Sequence, residues 1–144
     1  MFSREESKKL RELFWISYGK SFPRKWMRYN TKIKNVELKF HADRKQAFVC
    51  LDITHDDAEL REMYFERLES LKKILLSDYL PEAIFDDNYY LESSDKYISR
   101  VYVKYTAKFS IHNQSTWRDV YLFYNEKMAL LEDFFTTYYD YIKI

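Results

Sequence analysis

Residues 115–144 read STWRDVYLFYNEKMALLEDFFTTYYDYIKI, and this stretch decides the fold. Its apolar residues recur in alternating steps of four and three, which is the period of one helix face. The stripe comprises Trp117, Tyr121, Tyr124, Met128, Leu131, Phe135, Tyr138 and Ile142. The spacing predicts one long C-terminal helix of roughly eight turns.

The positions beside this stripe decide between a coiled-coil seam and a core helix. A two-stranded seam has charged flanks, but here the flanks include Val120, Phe123, Leu130, Phe134 and Tyr141. An apolar arc this broad predicts a helix in the core of its own domain. The opposite arc is mostly acidic and is predicted to face solvent as a poor surface for DNA. It contains Arg118, Asp119, Asn125, Glu126, Glu132, Asp133, Asp140 and Lys143.

The N-terminal third predicts a helix followed by a β-hairpin. Ser3 and Glu6 have the spacing of a capping box, and Gly19 stands where a left-handed C-cap would end the helix. Apolar and polar residues then alternate over 36–42 and 47–53, which is typical of two half-buried strands.

The middle of the chain repeats this order. Asp56 with Glu59 three residues later predicts the start of a second helix, which ends before Pro81. Residues 83–91 and 97–107 predict a second hairpin, although the apolar residues of its first strand favour neither face.

The predicted fold class is therefore α+β, in the order α-β-β-α-β-β-α. We expect a four-stranded antiparallel sheet of two hairpins packed against three helices, with the C-terminal helix long and central. The chain of 144 residues is expected to form a single domain, 1–144.

Composition excludes several classes of site. A single glycine leaves no glycine-rich phosphate loop, and one cysteine with three unpaired histidines cannot complete a zinc set, so no cofactor and no metal are predicted. The lone Cys50, the absence of an apolar signal core at the N-terminus and the absence of a membrane-length apolar run favour a cytoplasmic protein without membrane contact.

Charge is unevenly distributed although the net charge is only +1. Residues 20–45 contain nine basic and two acidic residues, a net +7, whereas residues 46–96 contain five basic and thirteen acidic residues, a net −8. The basic segment either binds a polyanion or is neutralised by the acidic segment in the fold. The sequence leaves both interpretations open.

Two catalytic patterns compete with simpler explanations. Glu37-Leu38-Lys39 has the form of the E-x-K element of restriction-type nucleases, but no acidic residue lies between Glu12 and Glu37 to complete a metal site. Cys50 and His41 could pair as nucleophile and base across the first hairpin, but no third orienting residue is evident. No catalytic residue is therefore predicted.

A binding surface is the stronger prediction. Aromatic residues among cations on a sheet face are typical of proteins that stack and neutralise single-stranded nucleic acid. The alternative is that the aromatic residues are ordinary cross-strand partners. The candidate residues are Arg24, Lys25, Trp26, Arg28, Lys39, His41, Phe48, Arg100, Tyr102 and Lys104.

Several segments resemble an uncharacterised bacterial family, a domain of unknown function that is common in Bacteroidetes. The resemblance lies in residues 14–15, 21–26, 39–40, 49–53, 109–113 and 116–119. It implies no catalytic residues. It does imply an association with restriction-endonuclease-like domains, to which members of that family are also found appended.

Three functions therefore remain under consideration. The first is a non-enzymatic binding module with nucleic acid as its partner. The second is a protein-interaction or self-assembly domain, with a protein partner or a homodimer. The third is a divergent metal-dependent nuclease.

Overall fold

The computed structural model describes residues 2–144, and its elements follow the predicted order. They are α1 (Arg4–Ser21), β1 (Val36–Ala42), β2 (Ala47–Ile53), α2 (Ala58–Ser70), α3 (Lys72–Asp78), β3 (Ile84–Leu91), β4 (Lys96–Lys104), a short 3-10 helix (Gln114–Thr116), α4 (Trp117–Thr137) and α5 (Tyr139–Ile142). The α+β class is confirmed.

The four strands form one antiparallel sheet in the order β1-β2-β4-β3. The first hairpin runs in register from Val36 opposite Ile53 to Ala42 opposite Ala47, and β2 joins the second hairpin by pairing with β4. In β3 a register shift lies between Asp86 and Tyr89. A bulge of this kind changes which side chains face each side of the sheet, which explains why the alternation in β3 favours neither face.

The first hairpin turns without glycine because Asp43 takes over part of the hydrogen bonding. Its Oδ1 accepts the N–H groups of Lys45 (2.7 Å) and Gln46 (2.8 Å), and its own N–H donates to the Gln46 carbonyl (2.9 Å). Aspartate is favoured in turns for this reason. Burial raises the pKa of the Asp43 carboxyl group. The hydrogen bonds that the carboxylate forms with His41, Lys45 and Gln46 outweigh burial and hold this pKa below its usual value.

The start of α1 is confirmed and its predicted end is wrong. Ser3 and Glu6 form both hydrogen bonds of a capping box. Gly19, however, lies inside the helix, which continues to Ser21 and is capped at Phe22 with a φ of −135°. The N–H of Phe22 still donates to the carbonyl of Tyr18. Because the helical hydrogen bonds run past Gly19, no left-handed residue is needed there.

The second predicted helix is two helices that meet at Leu71. It also begins one residue later than predicted. Asp57, not Asp56, is the N-cap, and its Oδ1 accepts from the N–H groups of Glu59 (3.0 Å) and Leu60 (3.3 Å). Neighbouring acidic residues compete for this position, and the backbone dihedrals of the loop decide between them.

The C-terminal helix is long, but it is not continuous over residues 115–144. It starts with the 3-10 turn, and it breaks at Tyr138, whose φ of −105° and ψ of 17° separate α4 from α5. Of the eight stripe residues, all except Tyr138 are buried. The break leaves Ile142 in the core, so the prediction that this segment packs within its own domain is confirmed.

One face of the sheet packs against the helices and forms the main core. Leu38 of β1, Val49 of β2 and Val101 of β4 are buried there with Phe14 of α1 and Tyr124 of α4. The hydroxyl of Tyr124 donates to the His41 carbonyl and so ties α4 to β1. Within residues 2–144, none of the helices has both the length and the apolar character needed to cross a membrane.

Candidate nucleic-acid interface

The connector, defined as residues 22–35 between α1 and β1, lies along the free edge of β1. The Leu38 N–H donates to the Arg28 carbonyl at 2.9 Å, so the connector occupies part of that edge. Thr31 anchors it from inside: this residue is buried, and its hydroxyl donates to the carbonyls of Ile33 (3.1 Å) and Val36 (2.7 Å). These hydrogen bonds fix the backbone of the connector against β1, and the cationic side chains of the connector are attached to that fixed backbone.

Three residues of the connector have left-handed backbone conformations. Arg28, Lys32 and Asn35 have φ values of 51°, 66° and 65°. This conformation is uncommon for residues other than glycine, and it persists where the surrounding structure determines it. The path of the connector beside β1 therefore costs conformational free energy at these three residues.

An aromatic cleft of about 830 Å³ lies between the C-terminal half of α1 and the connector. Its walls combine aromatic rings with cations. The lining includes Trp15, Tyr18, Phe22, Arg24, Lys25, Trp26, Met27, Arg28, Tyr29 and Phe40. The rings of Tyr18 and Trp26 each meet Phe40 edge-on, at centroid distances of 5.4 and 5.7 Å. Edge-on contacts of this kind are favourable for aromatic rings and fix the positions of these three rings in the cleft wall.

Glu132 of α4 fastens the connector to the helical layer. Its Oε2 accepts the N–H of Met27 at 2.8 Å, and its Oε1 lies 3.5 Å from Nη2 of Arg24. The Glu132 side chain is only 18% exposed. The prediction that Glu132 belongs to a solvent-facing acidic arc is therefore wrong, because the connector folds back onto that part of α4.

The other cations around the connector make no salt bridge with any of the residues that the structure describes. Within residues 2–144, no carboxylate lies at salt-bridge distance from the exposed residues Lys20, Lys25, Arg28, Lys32 and Lys34. Within residues 2–144, only one cation of the basic segment 20–45 forms an ion pair with the acidic segment 46–96. It is Lys39, whose Nζ lies 3.7 Å from Oδ2 of Asp52. The interpretation that the two segments neutralise each other by direct ion pairing does not fit the connector.

The second face of the sheet, opposite the helices, is partly covered. Phe48 is 1% exposed and Arg100 is 6% exposed, so neither offers an open surface to a ligand. The Phe48 ring lies between the His41 ring, stacked at 4.4 Å, and the Arg100 guanidinium at 5.0 Å. Tyr89 covers Arg100 from the second hairpin at 4.2 Å. The candidate binding residues Phe48 and Arg100 are thus buried, in agreement with the alternative that the aromatic residues of this face are cross-strand partners, because β3 brings the Tyr89 ring onto it.

A buried ion pair lies beneath this cover. Arg100 donates from Nε and Nη2 to the two carboxylate oxygens of Asp52 at 2.7 and 2.9 Å. Burial by itself lowers the pKa of Arg100, but the hydrogen bonds to Asp52 outweigh it and raise the pKa. A bidentate pair of this kind is among the strongest hydrogen-bonded contacts in proteins.

This ion pair bears on the nuclease hypothesis. Asp52 stands opposite Glu37 in the hairpin, and Lys39 lies between them, 3.8 Å from Glu37 and 3.7 Å from Asp52. The hairpin thus brings a second acid to the E-x-K pair from downstream in the sequence. Arg100 already engages both Asp52 oxygens, however, and no group of three His, Cys, Asp or Glu residues in the described chain is arranged to hold a metal.

The pairing of Cys50 with His41 is also not formed. Cys50 is buried, and burial raises the pKa of its thiol well above the usual value. The Nε2 of His41 pairs with Asp43 Oδ2 at 2.8 Å. A protonated, enclosed thiol is a poor nucleophile, so this arrangement gives no support to nucleophilic catalysis.

Comparison with known proteins identifies the family. The profile described as Domain of unknown function (DUF4268) matches residues 10–139, which is most of the chain. The chain belongs to the DUF4268 family. The comparisons with curated proteins and with solved structures gave no significant match. The DUF4268 match includes α1 from Leu10 onward, the connector, the whole sheet and α4, so every residue that lines the cleft lies within the matched range.

In this DUF4268 domain the ten predicted binding residues divide into two groups. Arg24, Lys25, Trp26 and Arg28 gather at the aromatic cleft. The other six lie on the second face of the sheet: Lys39, His41, Phe48, Arg100, Tyr102 and Lys104. Of these, Lys39 and His41 belong to β1, whose free edge the connector follows, and their side chains are 41% and 40% exposed.

Most of the cleft wall of the DUF4268 domain lies outside the ten predicted binding residues. Trp15, Tyr18 and Phe22 follow one another at steps of three and four on α1, which is a readable signal of one helix face. Tyr29 and Phe40 have no such signal. Their place at the cleft depends on the fold of the connector against β1.

Proposed function

We propose that this DUF4268 domain is a non-enzymatic module that binds nucleic acid through the connector and the aromatic cleft. The observation that carries the proposal is the group of exposed cations without carboxylate partners beside that cleft. Phosphate groups carry the negative charge that pairs with such cations, and phosphate contacts account for most nonspecific nucleic-acid affinity.

The positions of the basic residues agree with a nucleic-acid site at the cleft and the connector. Lys20, Lys25 and Arg28 stand on or next to the cleft, and Lys32 and Lys34 continue along the connector toward β1. Arginine and lysine at such positions bind phosphates without reading sequence. The association with restriction-endonuclease-like domains, which the family resemblance implies, is consistent with nucleic acid as the partner.

Charge reversal at Arg24, Lys25 and Arg28 together tests the proposal. At low salt we expect the triple glutamate variant to lose about 100-fold or more in affinity for DNA, because three phosphate contacts become repulsive. The double variant Lys25→Glu/Arg28→Glu leaves the Arg24–Glu132 contact intact and should show most of this loss. Fluorescence anisotropy with labelled single-stranded and duplex DNA over a salt series measures both.

The matched control reverses Arg4, Lys8 and Arg11 of α1, which are exposed and do not line the cleft. It changes the net charge by the same amount, so a site at the connector predicts a much smaller loss. If the unmodified protein shows no salt-sensitive binding to either form of DNA at low salt, the proposal fails.

Self-assembly is a second candidate, favoured by the second hairpin. Tyr90 and Tyr97 are exposed and their rings lie 5.2 Å apart, on the hairpin that contains the edge strand β3. Exposed aromatic pairs at a sheet edge are typical of protein contact surfaces. Light scattering at micromolar concentration tests this candidate, and a strict monomer would exclude a homodimer.

A further inference from the structure

We infer that the aromatic cleft holds one unstacked base, so that the domain prefers single-stranded nucleic acid to duplex. This inference rests on the proposed function and names its substrate class. The two can fail separately, because a purely electrostatic surface would bind duplex at least as well as single strands.

The first argument is the shape of the cleft. A cavity of about 830 Å³ is within the range of small-ligand sites. Bases in a duplex are stacked and paired, so an aromatic cleft beside the phosphate-binding cations is reachable only by a base that has left the stack. Recognition of unpaired bases by aromatic side chains is the common mode for single strands.

The second argument is which ring faces are available. Trp15 stacks one face on Tyr124 at 5.9 Å with 10° between the ring planes, yet it remains 36% exposed. Tyr29, which also lines the cleft, is 71% exposed although the Arg28 guanidinium lies 5.5 Å from the centre of its ring on one side. By contrast, the guanidinium of Arg24 lies 3.9 Å over the Trp26 ring and covers that face. Trp15 and Tyr29 are therefore the stacking residues, and Trp26 is a wall.

Trp26 adds to that wall a buried polar group whose hydrogen bonding is incomplete. Its indole Nε1 forms no hydrogen bond of normal geometry and interacts only weakly with the Tyr18 hydroxyl. The neighbouring Tyr18 donates its hydroxyl proton to Asn125 Oδ1 at 2.7 Å. Burial raises the pKa of Tyr18 to about 12, although the nearby Trp26 indole and Arg24 lower it. A buried donor without a well-formed hydrogen bond is rare, and the residue that carries it belongs to the lining of this cleft.

The third argument is charge complementarity at the rim. Lys25 and Arg28 are exposed and lack carboxylate partners in the described chain, while Glu132 is occupied by Arg24 and the Met27 N–H. A base inside the cleft therefore brings its two flanking phosphates to unpaired cations. An acidic peptide would satisfy the cations but would leave the ring faces of Trp15 and Tyr29 without a planar partner.

The test compares a 20-nucleotide oligothymidine with a 20-base-pair duplex under identical salt. We expect tighter binding of the single strand. Tyr29→Ala should weaken single-strand binding by about tenfold, the effect of losing one base–aromatic stack, and leave duplex binding unchanged. Because Tyr29 is so exposed, its replacement does not threaten the fold. Tyr97→Ala, an exposed tyrosine outside the cleft, is the matched control and should change neither.

Tryptophan emission gives an independent readout of the same event. Two of the three tryptophans line the cleft, and the third, Trp117, is buried in the core. Oligothymidine should quench the emission, and Trp15→Phe should remove a large part of that quenching.

Equal binding of single strand and duplex, with Tyr29→Ala silent, would overturn the inference and leave the proposed function standing. Competition by polyglutamate as effective as that by oligothymidine would also overturn it. The absence of binding to either nucleic acid would end the proposed function itself.

Discussion

The aromatic cleft and the second face of the sheet contain the same kinds of residue, but they differ in what those residues contact. On the second face, Arg100 is engaged by Asp52 and lies between the rings of Phe48 and Tyr89. At the cleft, Lys25 and Arg28 have no carboxylate at salt-bridge distance within residues 2–144, and Tyr29 is open to solvent. Both regions read as aromatic and cationic in sequence, but Phe48 and Arg100 are buried at the centre of the second face, whereas the cleft keeps exposed cations together with an exposed ring.

The difference has a physical cause. Every residue of β2 is buried, so the polar groups of its second face must find partners inside the protein. The connector runs outside the sheet edge, where water solvates a cation at no cost. Placement in a central or a peripheral element thus decides whether an arginine is structural or available.

The largest expected effect comes from breaking the buried pair. Arg100→Met leaves the buried Asp52 carboxylate with only Lys39, 3.7 Å away, as a cationic neighbour. Loss of one partner of a buried pair typically costs about 3–5 kcal/mol in the free energy of unfolding. Urea denaturation measures this loss. Lys96→Met, which breaks an ion pair to the almost fully exposed Asp56, should cost less than about 1 kcal/mol and is the control.

The double variant Asp52→Leu/Arg100→Met sharpens the interpretation. If the pair is a structural unit, removing both charges should restore most of the stability lost in the single variant, since no unpaired charge remains. A double variant as unstable as Arg100→Met would show that the loss arises from packing against Phe48 and Tyr89 instead.

A smaller effect on stability is expected where Glu132 of α4 binds the connector. Glu132→Ala removes the acceptor of the Met27 N–H, a charge-assisted hydrogen bond worth about 1.5–3 kcal/mol. We expect hydrogen exchange of the Met27 amide to accelerate by roughly tenfold or more, while amides of β2 keep their protection. Unchanged exchange at Met27 would mean that Thr31 and the β1 edge hold the connector without help from α4.

Single-cation variants should divide the two regions by salt dependence. Lys25→Ala removes about one phosphate contact and should reduce the slope of log K against log salt by roughly one. Lys39→Ala removes a cation that already lies near two carboxylates, so we expect a smaller change in slope. Equal changes would mean that the second face takes part in binding as much as the cleft does.

The smallest effect is a pH dependence at His55. Its ring stacks on Tyr64, its Nδ1 is buried without a partner, and burial lowers its pKa below 6.5 despite the opposing effects of Asp57 and a backbone hydrogen bond with Lys34. The unfolded state therefore binds the proton more readily, so His55 reduces stability as pH falls through 6.5 toward the lowered pKa. His55→Phe should flatten the thermal stability between pH 7 and 5; Asp43, whose pKa is also lowered, acts only at more acidic pH.

Element types were predictable from the sequence because they follow local periodicity. The capping box of Ser3 and Glu6, the two hairpins and the buried C-terminal stripe all depend on contacts between residues close in sequence or on one face. The breaks at Leu71 and Tyr138 were not predictable in this way. Each is followed by a short helix that places one residue in the core, Leu75 after the first break and Ile142 after the second, and that core is formed with residues distant in sequence.

The candidate site divides along the same line. Local composition was sufficient to single out Arg24, Lys25, Trp26 and Arg28 as a basic and aromatic group. Local composition could not show that Tyr29 and Phe40 line a cleft together with these residues. It also could not show that Arg100 pairs with Asp52, which lies 48 positions earlier in the chain.

The amino-acid sequence by itself determined the order of helices and strands, the helix that organises the core and the concentration of positive charge in residues 20–45. These properties depend on spacing along the chain, which sequence shows directly. Only the tertiary structure decided which cations are paired and which rings are open, because ion pairing and burial depend on residues brought together from distant parts of the chain. For this DUF4268 domain, that distinction separates a partly covered polar face of the sheet from a cationic aromatic cleft.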